Sequence, residues 1–354
     1  MGRIKQIWPV KCPEYRAEMH QWMVRPDQDG AGSMMAYLVG DVQDLLDNGP
    51  SQTDQAQARG LARRHGASLE IADLFHITDH KMPEVIEAAG KLPLDLDVQR
   101  HWFHTDHGVM FFEKGYNTKA FDDRTYEWKA KSPNETRMMA LSWSITGEVV
   151  RILAWTETDS FMRLAMEQAQ SDRMKDIVGG PPPTRQEVNA RMANMGPLMV
   201  CGQLTVRLSD YMRRISRNQN NANFLEGDNY SRHTMAVLLS GWLMLRQYTT
   251  AASVVEAPRS SWRRIQRMNP DLGTRVTVID KRTIKPNPTK EVEDEAAPKR
   301  QLTVRYDRRG HWREYKSERF SPELREHPIW IPAHWVGHEG LPMVRREKVT
   351  RLKR

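Results

Sequence analysis

The stretch "TRMMALSWSITGEVVRILAWTE", Thr136 to Glu157, holds two apolar runs of strand length joined by Thr-Gly-Glu. "RMMALSWSI" and "EVVRILAWTE" are short, rich in Val, Ile, Trp and Met, and linked by a hairpin-like connection, so both read as strands. Upstream, "GVMFFEK" (Gly108 to Lys114) has the same character. Three strands are therefore expected once the pattern changes at His107.

Before that point the chain reads as mostly helical. "SMMAYLVGDVQDLLDNG" has apolar residues at helical spacing and an Asn-Gly stop, and "SQTDQAQARGLARRHG" continues as a polar helix. "SLEIADLFHITDHKMPEVIEAAGKLP" is expected to form a helix that breaks near Lys81 and a shorter one ending at Gly90. Helices and strands together predict an α/β N-terminal domain over residues 1–158.

From Asp159 helices are expected again. "DSFMRLAMEQAQSDRMKDIV" is amphipathic and stops at "GGPPP". "TRQEVNARMANMGPLMVCGQLTVRLSDYMRRIS" reads as a helix broken or kinked at Gly196-Pro197. "YSRHTMAVLLSGWLMLRQYTT" is the most apolar helix, expected to be buried, and "PRSSWRRIQRM" is a basic helix. Residues 159–270 are thus expected to form a helical domain.

Residues 271–354 read as a small β module. "TRVTVIDKR", "QLTVRY", "GHWREYK", "HPIWIPAHW" and "REKVTRL" are strand-like, and the Pro-rich, charged insert at 283–300 is expected to be a mobile loop or linker. The predicted class is α+β: a mixed N-terminal α/β domain, a helical middle and a small antiparallel β module.

The net charge of +8 is unevenly placed. Pro258 to Arg354 carries 24 Lys and Arg against 13 Asp and Glu, a net of +11, whereas the first 257 residues carry 29 against 32, a net of −3. Such asymmetry points to a polyanion or an acidic protein surface as partner. Within the module, "RRGHWREYK" as a strand puts Arg309, His311, Arg313 and Tyr315 on one face, with Arg308, Trp312, Glu314 and Lys316 on the other. Cations there would release counterions from phosphates, and the aromatic ring would stack on a base. "HPIWIPAHWVGHEG" adds Trp330, His334, Trp335 and His338, which offer a stacking platform near a turn, or equally the plug of a small sheet. Arg345, Arg346 and Lys348 add charge near the C-terminus, and Arg263, Arg264 and Arg267 lie along the basic helix at spacings suited to following a phosphate backbone. Apart from Trp312, Glu314, Trp330 and His338, these residues, fourteen in all, are the expected nucleic-acid contacts.

The order "LLSGWLMLRQ", "SSWRRIQR", "TRVTVIDKR", a charged insert, "GHWREYK", "IWIPAHWVG" and "VRREKV" resembles a C-terminal module of largely uncharacterised proteins from actinobacterial phages and plasmids. It is also similar to the C-terminal region of a mobile-element anti-CRISPR family that lowers production of a type V effector during translation. The resemblance spans Tyr230 to Arg354, with weaker support from "GVMFFEK" and "RMMALSW", and this chain carries Glu314 within the otherwise basic strand. It implies a phage or plasmid origin, a bacterial cytoplasm and a role near RNA or ribosomes.

Catalytic signatures are sparse. Cys12 and Cys201 match no metal or redox spacing, and no phosphate-binding loop or nucleophile elbow is present. Five of the twelve histidines fall between His76 and His107. His76 and His80 would share a face of a helix, but the pair lacks the intervening Glu of zinc proteases, so structural roles are expected and no metal or cofactor is assigned. A nuclease would draw on Asp122, Asp123 and Glu127, or on His311 with Arg313 and Tyr315. The N-terminal residues lack an apolar core of signal-peptide length, and Met235 to Leu245 is too short to cross a bilayer. The expectation is a cytoplasmic protein that binds RNA or a ribonucleoprotein. An inhibitor of an acidic host protein and a ribonuclease-type toxin are the alternatives.

Overall fold

The computed structural model describes residues 4–25, 51–92, 98, 100–116, 137–160, 186, 196–207, 227–245, 247, 250–281, 305–308, 310–325, 327–336 and 342–344. Its centre is one seven-stranded sheet. The strands are β1 (Asp73–Ile77), β2 (His107–Tyr116), β3 (Met138–Thr146), β4 (Val149–Glu157), β5 (Leu198–Arg207), β6 (Thr250–Glu256) and β7 (Arg275–Lys281). Their order is β5-β4-β3-β2-β1-β7-β6. β1 pairs parallel with β2 and with β7, and the other neighbours are antiparallel. The β3–β4 hairpin turns at Gly147, whose φ of 59° is the left-handed conformation that favours glycine.

Helices cover both faces. On one side lie α1 (Cys12–Val24) and α2 (Gln52–Glu70), which bury Trp22, Met23, Leu61 and Leu69 against Val109, Phe111, Leu153 and Trp155. The side chain of Ser51 accepts from the Asp54 amide at 3.1 Å while Asp54 accepts from the Ser51 amide at 3.0 Å, a reciprocal cap that starts α2. On the other side lie α3 (Met82–Ala89) and α4 (Gly227–Leu245), with Val85, Ile86, Leu238 and Trp242 against Phe75, Met110, Phe112, Trp143 and Ile152. A sheet covered on both faces needs apolar side chains in both directions, which is why Met138 to Ile145 is buried without a break. The chain is a mixed α/β protein.

Several elements differ from expectation. "DLFHI" is not helical but forms β1, near the sheet centre. Hydrogen bonding on both edges, and Phe75 packed 4.7 Å from Trp242, outweigh the helix formers around it. "LMVCGQLTVR" is β5 rather than half of a kinked helix: it begins directly after Gly196-Pro197 and pairs with β4 from Leu198 to Arg207. The expected helical middle therefore contributes β5 and β6 to the large sheet, alongside α4 and the basic helix α5 (Arg259–Met268). β7 is a strand as read, but its partners are β1 and β6 rather than the C-terminal strands.

Those C-terminal strands make two small sheets. β9 (His311–Arg313) pairs antiparallel with β10 (Ile329–Ile331). β8 (Arg305–Arg308) lies between β11 (His334–Val336), antiparallel to it, and β12 (Met343–Val344), parallel to it, so this second sheet is mixed. The short α6 (Pro322–Arg325) falls between β9 and β10. The helix expected at 33–49, most of that at 159–178, the insert at 283–300 and the strand "REKVTRL" lie outside the described residues. No helix among the described residues is long and apolar enough to cross a membrane.

Candidate nucleic-acid interface

The β9–β10 sheet is fixed to the central layer by two tryptophans. Trp330 of β10 is fully buried in the same core as Trp242 and Leu239, and Trp312 faces it across the β9–β10 pair with ring centroids 5.3 Å apart. Trp312 donates its indole N–H to the Ala88 carbonyl at the end of α3, at 2.9 Å. The Gln247 carboxamide, oriented by its partners, accepts from the Trp330 amide at 2.9 Å and donates to its carbonyl at 3.1 Å. Lys91 donates to the Gly310 carbonyl at 2.8 Å, pairs with Glu87 at 2.6 Å and lies 5.4 Å from the Trp330 ring centre. Gly310 must stay small, because a Cβ there would overlap the Trp330 ring and meet Glu87 at 3.0 Å. Of the two readings of this aromatic segment, Trp330 is the plug.

Cations and one exposed aromatic ring surround that anchor. In the β8–β11 register His334 sits directly opposite Arg308, and both are exposed. Trp335, on the same strand, keeps 39% of its surface exposed and carries the Arg305 guanidinium 5.4 Å from its ring centre. β9 ends at Arg313, so Tyr315 leaves the alternation, yet the Arg313 guanidinium still lies 4.7 Å from its ring centre. Tyr315 in turn packs on Phe320, which carries Arg319 at 5.1 Å. Lys316 pairs with Glu314 at 2.8 Å, which offsets part of its charge. Among the described residues no carboxylate pairs with Arg308 or Arg313. Arg309, Arg345, Arg346 and Lys348 lie outside the described residues.

The basic helix stands elsewhere. α5 packs on α1, where Ile265 meets Ala17, so it belongs to the sheet face opposite the Trp312 anchor. Arg264 reaches into α1 and pairs with Glu18 at 2.7 Å and with Glu14 at 3.4 Å. Expected as a phosphate contact, it makes these two ion pairs with 55% of its side chain exposed. Arg263 and Arg267 are exposed, with Arg267 donating to the Arg263 carbonyl at 3.3 Å.

A cleft of about 480 Å³ opens beside Arg264, lined among others by Trp8, Tyr15, Glu14, Glu18 and Glu157. Burial raises the Glu18 carboxyl, helped by Glu14 and opposed by Arg264 and Lys11. For Glu14 burial acts the same way, but Ser261, Lys11 and Arg264 outweigh it and hold the group below the ordinary range. Burial followed by the nearby Glu18 also raises Tyr15. Sequence reasoning passed over this cleft, since Glu14, Glu157 and Arg264 are remote in the chain and share no motif.

Among the described residues the histidines do not converge on a shared site. His76, on a strand rather than a helix, shares no helical face with His80; its Nε2 lies 2.8 Å from the Ile7 carbonyl. His107 Nδ1 lies 2.8 Å from the Ser68 hydroxyl, and His104 packs 5.1 Å from Trp242. No group of His, Cys, Asp and Glu among the described residues is arranged to hold a metal ion. Asp122, Asp123 and Glu127 lie outside the described residues. Comparisons of the chain with family models, with curated proteins and with solved structures find no match.

Proposed function

We propose that this protein binds RNA or a ribonucleoprotein through the C-terminal sheets, by occupancy rather than turnover, in a bacterial cytoplasm where it interferes with host expression or defence. The observation that carries the reading is the exposed cross-strand pair His334 and Arg308, with exposed Trp335 on the other face of the same strand. The cation and imidazole supply backbone attraction on one face of the β8–β11 pair, and Trp335, with Arg305 5.4 Å from its ring centre, offers a stacking surface on the other. Arg313 and Arg319, each lying over an aromatic ring, extend the positive area. The buried Trp330 and bonded Trp312 support it further: they hold β9 and β10, which join β8 and β11 through links of two residues each, and a held surface loses less entropy when it meets its ligand.

The test is a pull-down of the full chain from bacterial lysate with and without ribonuclease, followed by titration of single-stranded RNA and duplex DNA. RNA that co-purifies, and binding that weakens steeply with salt, are expected. Partners unchanged by ribonuclease, with no RNA affinity at low salt, would overturn the reading in favour of an acidic protein target.

A further inference from the structure

We propose that the chain self-associates through β6, two copies pairing antiparallel about Ser253 so that their large sheets join into one. β6 is the last strand of the sheet, and among the described residues nothing pairs with its outer edge. An open edge carries a row of unpaired N–H and C=O groups, and proteins ordinarily blunt it with Lys, Pro, a bulge or a covering element. β6, "TAASVVE", contains none of these residues, and its register against β7 runs unbroken from Thr250–Lys281 to Glu256–Arg275. The opposite edge is treated differently: β5 shifts register against β4 at Ala154 and Trp155, a bulge that bends the strand away from further pairing.

The exposure along β6 fits an interface. Ala252, Ser253 and Val254 are all exposed, with 66% of Val254 open. Val254 is one of six large apolar side chains exposed among the described residues. Exposed apolar surface on an unpaired backbone edge is what strand addition requires.

The sequence of β6 favours a second copy as the occupant. Pairing about Ser253 sets each Ala252 against Val254 of the partner subunit and each Ala251 against Val255 of the partner subunit. Small residues then face branched ones. The one charged residue, Glu256, faces Thr250 of the partner subunit, so no like charges meet. Glu256 is paired with Arg275 of its own β7 at 3.0 Å, so it brings no unpaired charge to the seam.

Sedimentation equilibrium of the nuclease-treated full chain across the micromolar range tests this directly. A dimer is expected. Ser253→Lys sets two ammonium groups opposite each other at the twofold and weakens self-association by about fivefold or more, with an unchanged circular dichroism spectrum. Cys12 and Cys201 are both buried, so Ser253→Cys adds an accessible thiol that oxidises to a disulfide-linked dimer, two thiols losing two electrons and two protons to an added oxidant. A wild-type monomer throughout the range, a Ser253→Lys dimer as tight as wild type, or a dimeric Ser253→Cys protein that does not cross-link would each overturn the proposal.

Discussion

The indole N–H of Trp312 donates to the carbonyl of Ala88 at 2.9 Å, and this bond joins the C-terminal strands to a helix of the central layer. Trp312 is the visible side of the joint and the fully buried Trp330 is its hidden side. The joint predicts that the C-terminal sheets and the large sheet melt together. Trp330→Ala removes a core side chain and is expected to cost about 3–5 kcal/mol, whereas Trp312→Phe, which loses mainly the hydrogen bond, costs roughly 1 kcal/mol. Urea titration followed by tryptophan fluorescence and by far-ultraviolet dichroism should give coincident transitions. A fluorescence change that precedes loss of the sheet signal would show that the joint does not couple them.

Gly310→Ala tests the same joint from the other side. Its added methyl overlaps the Trp330 ring, and Glu87, 3.0 Å away, closes the other route. Overpacking of this kind costs about 1–3 kcal/mol. The fall in urea midpoint should be smaller when Gly310→Ala is combined with Trp330→Phe, since the narrower ring makes room. Simple addition of the two losses would place the clash elsewhere.

What the sequence made legible follows burial. β2, β3 and β4 were readable because they are covered on both faces and so appear as apolar runs with few interruptions. β1 was not, because its five residues sit between helix-forming segments and owe their conformation to neighbours on both edges. Arg264 shows the equivalent limit for sites. Its spacing with Arg263 and Arg267 suited a phosphate backbone, while Glu14 and Glu18, which hold its charge, lie at the other end of the chain. Arg308 and His334 were each picked out by residue type, but their cross-strand pairing is a product of the register.

That difference between Arg264 and the C-terminal arginines gives a separable prediction. Replacing Arg308, Arg313 and Arg319 by Ala is expected to lower the slope of log affinity against log salt for single-stranded RNA by about 2, with little loss of stability at these exposed positions. Arg264→Ala should leave that slope unchanged and instead destabilise the α1–α5 contact, because Glu14 and Glu18 lose their shared partner. An unchanged slope in the triple variant would mean that these cations do not meet phosphates.

Acid should weaken the fold through the buried imidazoles. His65, on α2, is pushed down to about 3, first by burial and then by the charges of Arg151 and Arg64. Burial also lowers His20, His76 and His107, against the opposing charge of Glu70 at His20 and the Ile7 hydrogen bond at His76, and with the help of Arg100 at His107. In each case the folded value lies below that of the unfolded chain, so protons bind the unfolded state first. The stability contribution is complete above the ordinary histidine value of about 6.5 and is lost as pH falls toward the folded values. For His65 alone the loss reaches roughly 1 kcal/mol per pH unit. Urea midpoints should therefore be level from pH 8 to about 7 and decline below it, and His65→Leu should flatten the decline even if it shifts stability at neutral pH. A slope in His65→Leu as steep as in the wild type would show that this imidazole already takes up its proton in the folded protein.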